Sequence, residues 1–328
     1  MLTSLTTVFF LFIDLKCATA TGSSLKFLVI GDWGGLPIFP YRTLVELNVG
    51  REMAEAATKL GIDFVLTLGD NFYFDGVKDV DDPRFKETYE SAFNYESLQI
   101  PWFIIAGNHD HYGNVSAQIA YSARSDRWIF PDLYYRKKFQ VPSSNATVEI
   151  IMLDTVMLCG NTDPLNPYEP PAFRKYTKYQ EEKQWQWLEE SLKLSKAEYL
   201  IVCGHFPVYS VALHGSTDCL VKRLKPLLEK YHVSAYFSGH DHNLQHIQVK
   251  TNSTVMDYFV SGSANFIDPS KRHFKEIPPN SLLFHWGNPY SLGAFTFMDI
   301  SAKNMTVAFV HSVGKFLYSY SREPRQFR

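Results

Sequence analysis

LKFLVIGDWGG, residues 25–35, sets an apolar, strand-forming run directly before a glycine and an acid. Leu25 to Ile30 reads as a buried strand, and Gly31 with Asp32 then delivers a carboxylate at its C-terminal end. The same pattern recurs along the chain. Val49, Met53, Ala56, Ala57 and Leu60 follow helical spacing, Gly61 stops that helix, and Phe64 to Leu68 runs into Gly69 and Asp70. Trp102 to Ala106 then runs into Gly107, Asn108 and His109, which makes the first part β-α-β-α-β.

Strand-forming residues fill Tyr134 to Val141 and Thr147 to Leu153. Four prolines between Gly160 and Tyr176 mark an exposed loop. A helix with Trp185, Leu188 and Leu192 on one face precedes the strand Tyr199 to Cys203, which ends at Gly204 and His205. The next helix buries Leu220, Leu224, Leu227, Leu228 and Tyr231, and the strand Ala235 to Phe237 leads to Gly239 and His240. Short apolar runs and turns follow, closing in strands near 294–300, 305–311 and 316–320. This order predicts an α/β fold of two packed mixed β-sheets forming a sandwich flanked by helices. With no linker or repeat in sight, residues 21–328 are expected to form a single domain.

Separate apolar runs thus end in a glycine followed by a metal-capable residue: Asp32, Asp70, Asn108 with His109, His205, and His240 with His242. A lone Gly-Asp is ordinarily a turn, and a lone histidine ordinarily a satisfied polar side chain. Ordered recurrence outweighs that, because side chains beyond the carboxyl ends of α/β strands converge on one crevice. Glycine is expected to supply the sharp turn and the room for an ion. Carboxylate, amide oxygen and imidazole suit hard or borderline metals, and a bridging carboxylate would let them hold two.

The blocks GDWGG from Gly31, GDNFY from Gly69, GNHDHYGN from Gly107, GHFP from Gly204 and GHDHN from Gly239 resemble those of metallophosphoesterases. More narrowly, with LDTVMLCGN from Leu153, HGSTDCLVK from His214 and SGSANFIDPSKRH from Ser261, the chain is similar to the animal purple acid phosphatases over nearly its whole mature length. That resemblance implies a four-layer αββα fold and an acid phosphatase hydrolysing phosphate monoesters with a metal-bound hydroxide. It implies a ferric ion held by Asp32, Asp70, Tyr73 and His242. A second ion, ferrous with zinc or manganese as alternatives, would be held by Asp70, Asn108, His205 and His240, so that Asp70 bridges. His109 and His214 take the places of residues that hydrogen-bond phosphate and help protonate the leaving alcohol, although Ala212 and Leu213 stand where the family pattern has an acid just before the histidine. Imidazole is protonated below about pH 6.5 in model peptides, so an acidic optimum is expected. Asp110 either orients His109 or fixes its turn, His111 and His246 are structural or exposed, and Asn265 is a further candidate to reach the crevice.

In related enzymes a loop at 160–176 covers the site and cutting it raises activity; Arg174, Lys175 and Lys178 offer an activating protease basic cleavage points here. Phosphoproteins, nucleotides and small esters all qualify as substrates. The rival readings are a zinc or manganese phosphodiesterase or protein phosphatase on the same scaffold, and a secreted iron-binding transport glycoprotein.

A formal net charge of -2 offers no general attraction to nucleic acid or an anionic membrane. An apolar run from Val8 to Ile13 followed by Ala18-Thr19-Ala20 fits a signal peptide over residues 1–20, and hence a secreted or lysosomal, soluble protein; with no evident association motif, a monomer is expected. Sequons at Asn114, Asn145, Asn252 and Asn304 are glycosylation candidates. Cys17 departs with the leader; Cys159 and Cys219 border loop-like sequence and form the expected disulfide, with Cys203 a buried thiol and three free thiols the alternative.

Overall fold

Every residue of β1 (Leu25–Ile30) except Lys26 is buried, as the opening run requires. The computed structural model describes residues 24–160, 176–251 and 254–326. The leader, the sequon at Asn252 and nearly all of the 160–176 loop lie outside those residues.

Helix α1 (Leu44–Leu60) starts at a capping box between Thr43 and Glu46 and ends at Gly61, whose φ of 69° suits glycine. It leads to β2 (Phe64–Thr67), β3 (Trp102–Phe103), α2 (Asn108–Tyr112), α3 (Val115–Tyr121) and β4 (Trp128–Ile129). Strands β5 (Tyr135–Gln140) and β6 (Thr147–Met152) form a hairpin, followed by α4 (Thr155–Cys159), α5 (Lys178–Leu194), β7 (Tyr199–Cys203), α6 (Asp218–Lys230) and β8 (Ala235–Ser238). The remainder is β9 (Leu244–Lys250), β10 (Val255–Ser261), β11 (Leu282–Trp286), β12 (Ala294–Ile300), β13 (Met305–His311) and β14 (Phe316–Arg322).

Two mixed sheets result, each 7-stranded among the described residues, in the orders β14-β13-β12-β1-β2-β3-β4 and β11-β9-β10-β8-β7-β6-β5. One apolar cluster draws on both sheets, through Phe27, Val65, Ile150, Ile201, Phe237 and Phe259. A second packs Trp185, Leu188, Leu224 and Leu228 of α5 and α6 onto Ile151, Val202 and Tyr236. The sandwich flanked by helices is therefore the fold. Parallel pairing of β1 with β2 aligns Ile30 with Thr67, and pairing of β7 with β8 aligns Cys203 with Phe237. The glycine-led segments beyond these strands consequently leave side by side, with Asp32 N donating to Gly69 O (3.0 Å) and Gly239 N to His205 O (3.0 Å).

Two readings change. The apolar run 102–106 is strand only at Trp102 and Phe103, and Asn108 opens a short helix. Strands β9 and β10 escape a hydropathy reading because their buried face carries polar residues. His246 Nε2 donates to Asp257 (2.9 Å) and its Nδ1 bonds Tyr318 (2.8 Å), Gln248 donates to Asp257 (2.8 Å), and Arg322 of β14 donates to the other Asp257 oxygen (2.7 Å). That network ties the edge strand of one sheet to the other. His246 is thus structural and buried, as is His111, whose Nε2 lies 2.8 Å from Asp154.

Burial raises the Asp257 carboxyl, but His246 and Arg322 outweigh it and hold its pKa below the usual range. A depressed carboxylate stabilises the fold fully above the ordinary value near 3.9 and loses that contribution as pH falls through the folded value. Asp257→Asn is therefore expected to destabilise by about 2 kcal/mol at neutral pH, since it removes the charged acceptor shared by Arg322 and His246. The difference should shrink in strong acid, as read from urea midpoints across pH.

Cys159 and Cys219 are bonded, 60 residues apart, and Cys203 is a buried free thiol. Closing a loop of that length stabilises by about 4 kcal/mol in the chain-entropy picture. Cys159→Ser with Cys219→Ser should lower the unfolding free energy by roughly that amount, measured by denaturant titration without reductant.

Candidate metal centre

Asp32, Asp70 and His240 each adopt left-handed backbone angles, with φ of 58°, 54° and 70°. Such angles are strained for residues with a Cβ and persist only where the surroundings impose them. The expected division of labour is accordingly corrected at Gly31 and Gly239: the ligand-bearing residue makes the left-handed turn, and the glycine supplies space. A Cβ on Gly239 would run into the Asp32 carboxylate and come within 3.2 Å of Leu68 O.

The turns bring one atom each from Asp32, Asp70 and His205 within 4.8 Å of one another, all three buried. Around them, His205 Nε2 lies 2.9 Å from Asn108 Oδ1 and 3.4 Å from Asp70 Oδ1. Tyr73 OH stands 3.1 Å from Asp32 Oδ1 and 3.1 Å from His242 Nε2, which is 3.6 Å from Asp32 Oδ1. The His240 ring lies 5.1 Å from that of His205, and its backbone amide donates to Asp32 (2.9 Å). Asp32, Asp70, Tyr73, Asn108, His205, His240 and His242 therefore surround one crevice at the joined strand ends of both sheets.

Proton accounting shows what this arrangement asks for. Leu68 O can only accept, so His205 Nδ1 carries the proton of the 2.8 Å bond between them. Burial lowers the pKa of His205 although Asp70 opposes this, and the neutral ring then turns a bare Nε2 toward Asn108 Oδ1 and Asp70 Oδ1. Lone pairs then face lone pairs at a buried point, while Asn108 Nδ2 has no hydrogen-bond partner among the described residues. Burial likewise pushes His242 down to about 3 and, with His214 and His205 adding, His240 well below the usual range. Burial and then the Asp70 charge raise the Asp32 carboxyl well above its ordinary value. Neutral imidazoles beside crowded carboxylates form a donor set that a cation completes, so the residues fit a metal site.

Two half-buried histidines flank this core. His109 Nδ1 bonds Phe74 O at 2.7 Å, and its backbone amide donates to Asp70 Oδ1 (3.0 Å), leaving Nε2 for the crevice. The His214 ring sits 4.1 Å from that of His240. Asp110 accepts from the amides of Gly107 (2.8 Å) and Asn71 (3.1 Å) and from Gln118 (2.8 Å), so it fixes the turn. Asn265 spends its amide on Gly35 O (2.7 Å) and Thr43, tying loops together.

Supporting residues outside the initial reading are Asp241, which accepts from the His214 amide (2.9 Å), and Arg84, which donates to the Tyr73 carbonyl. Asp241 had a signal, an acid between two candidate ligands; Arg84 had none. Of the sequons, Asn145 and Asn304 are exposed in turns, whereas Asn114 caps α3 by accepting from Ala117 N (3.1 Å).

Residues 25–244 match the family model described as calcineurin-like phosphoesterase, and with the sandwich and its ligand-lined crevice the chain belongs to that family. It is most specifically aligned with the tartrate-resistant acid phosphatases of type 5. It is 49% identical to that protein of Rattus norvegicus over 95% of this chain and 94% of the relative, and 48% identical to that of Homo sapiens over 93% and 92%. A solved structure of similar fold is GAP50, the anchor in the inner membrane complex of Plasmodium. It has a TM-score of 0.77 at 26% identity and covers 93% of this chain and 90% of that one.

Proposed function

We propose that this chain is an acid phosphatase hydrolysing phosphate monoesters at a two-metal centre. The carrying observation is the convergence of His205 Nε2, Asn108 Oδ1 and Asp70 Oδ1 on one buried point, a donor set that a metal ion satisfies. One ion would be held by Asp32, Asp70, Tyr73 and His242, and the other by Asp70, Asn108, His205 and His240. Tyr73 supplies a phenol oxygen between Asp32 and His242, a hard donor suited to ferric iron at the first position. When bound, such a pair supplies Lewis acidity toward phosphate oxygens and acidifies water.

The protein's own groups do the rest. His109, its Nδ1 held by Phe74 O, presents Nε2 to a phosphate oxygen, and His214, its ring beside that of His240, hydrogen-bonds phosphate and protonates the departing alcohol. Asp110 holds the turn that carries Asn108 and His109. The depth at which Asp32, Asp70 and His205 sit excludes bulk water from them. The disulfide supports a secreted or lysosomal setting, since such bonds persist in oxidising compartments. Loop nicking as an activating step is a separate proposal, tested by whether limited trypsin raises turnover.

The function is tested by metal analysis of purified protein together with aryl phosphate hydrolysis across pH. Two metal equivalents and a rate maximal in acid are expected. Metal-free protein with full activity would overturn the reading.

A further inference from the structure

His214 belongs to an irregular segment, 210–217, yet its position is set from two sides. On one side, the buried Asp241 carboxylate accepts its backbone amide at 2.9 Å. On the other lies His273, from a separate loop. Its backbone amide donates to Val211 O (3.0 Å), its Nε2 donates to Leu213 O (3.2 Å), and its Nδ1 donates to Glu276 (2.8 Å). The His273 ring also lies flat against the glycine that follows His214. Gly215 has a φ of 72°, and a Cβ there would come within 2.9 Å of His273 Cγ. Three contacts thus bracket His214 in sequence, at positions 211, 213 and 215, while the His214 ring itself remains against His240.

We propose that His273, oriented by Glu276, is a positioning residue that fixes the His214 loop so that the His214 ring reaches the leaving-group oxygen of a phosphate ester. Its backbone amide, both ring nitrogens and its ring face are all spent on this loop and on Glu276, and neither His273 nor Glu276 is among the residues that line the metal crevice. The 210–217 segment has no helix or strand ladder of its own and is held largely by groups from elsewhere, Gln245 accepting from the Val211 amide (3.0 Å) beside Asp241 and His273, so these outside bonds decide where the His214 ring points. The inference rests on the reading of His214 as the group that protonates the leaving alcohol. It predicts a selective defect. An alkoxide leaves poorly without a proton, whereas a nitrophenolate leaves well unaided, so misplacing a proton donor slows the first kind of ester far more.

The test compares kcat for an alkyl phosphate and for 4-nitrophenyl phosphate in the metal-loaded protein. His273→Ala is expected to lower the alkyl rate by about 10- to 100-fold, the scale of an ångström of misplacement, and the nitrophenyl rate by about twofold or less, since that step needs little proton transfer. His273→Gln, which restores an N–H toward Leu213 O, should recover most of the alkyl rate, and Glu276→Gln should shift in the same direction as His273→Ala by less. Amide exchange over 211–216 should quicken in His273→Ala and stay unchanged in α1 and α5, a readout independent of turnover. Equal slowing of both esters, or of neither, would overturn the clasp while leaving the phosphatase reading intact. A wild-type protein that hydrolyses neither ester would remove the phosphatase reading and the clasp with it.

Discussion

Asp70→Asn is expected to lower kcat/KM for an aryl phosphate by about a thousandfold or more, equivalent to about 4 kcal/mol of lost transition-state stabilisation. In the proposed centre Asp70 is the bridging carboxylate. Its Oδ1 lies 3.4 Å from His205 Nε2 and accepts the His109 amide at 3.0 Å, while its charge acts on Asp32. Asparagine keeps the size and can keep the His109 bond, so the loss isolates the charge and the second donor oxygen. Elemental analysis should show at least one metal equivalent missing. Asp32→Asn should be comparably inactive, yet it should raise the melting temperature of metal-stripped protein. Burial and the neighbouring carboxylate both oppose ionisation of Asp32, so above its raised folded pKa a neutral amide relieves a cost that a proton or a metal ion otherwise offsets. Full activity in Asp70→Asn with two metals retained would remove the two-metal reading.

Tyr73→Phe is expected to abolish the visible absorption of the iron-loaded protein completely. In the protein alone, burial and then the Asp32 and Asp70 charges hold the Tyr73 phenol well above its ordinary value, so it keeps its proton. Ionisation at this position requires a strongly polarising cation next to Asp32 and His242, and phenolate-to-ferric charge transfer is what would give colour. Phenylalanine preserves the ring, which packs against His109 at 4.7 Å and Phe266 at 4.9 Å, so the fold should survive with a stability change of about 1 kcal/mol or less. A purple band that persists in Tyr73→Phe would assign the chromophore elsewhere. Iron-loaded wild-type protein that shows no band would count against a phenolate ligand while leaving Asp70 and His205 untouched.

Much of this was visible in the chain before any coordinates. Asp32, Asp70, Asn108, His205 and His240 are announced by a repeating local device, an apolar strand ending in glycine, because the fold places the ends of its parallel strands around a single crevice. His242 follows His240 in the same device, whereas Tyr73 was carried by the family resemblance. Less was visible where polarity and burial part company. Strands β9 and β10 bury His246, Gln248 and Asp257 through mutual hydrogen bonds, so a hydropathy pattern has no purchase there. Asp110, ambiguous between two roles, becomes a turn-fixing residue once its partners are seen to be Gly107, Asn71 and Gln118.

Local patterning alone therefore determined the apolar strands that end in glycine, the order in which they run, and which side chains stand at their ends, since strand burial and turn geometry are written in adjacent residues. Tertiary structure alone decided that His205 presents an unprotonated nitrogen to Asn108 and Asp70, that Asp32 and His240 take the left-handed turns, and that His273 reaches across to the segment holding His214. Protonation, backbone strain and loop placement are each set by atoms distant in the chain, and those atoms become neighbours only when the two sheets close on one another.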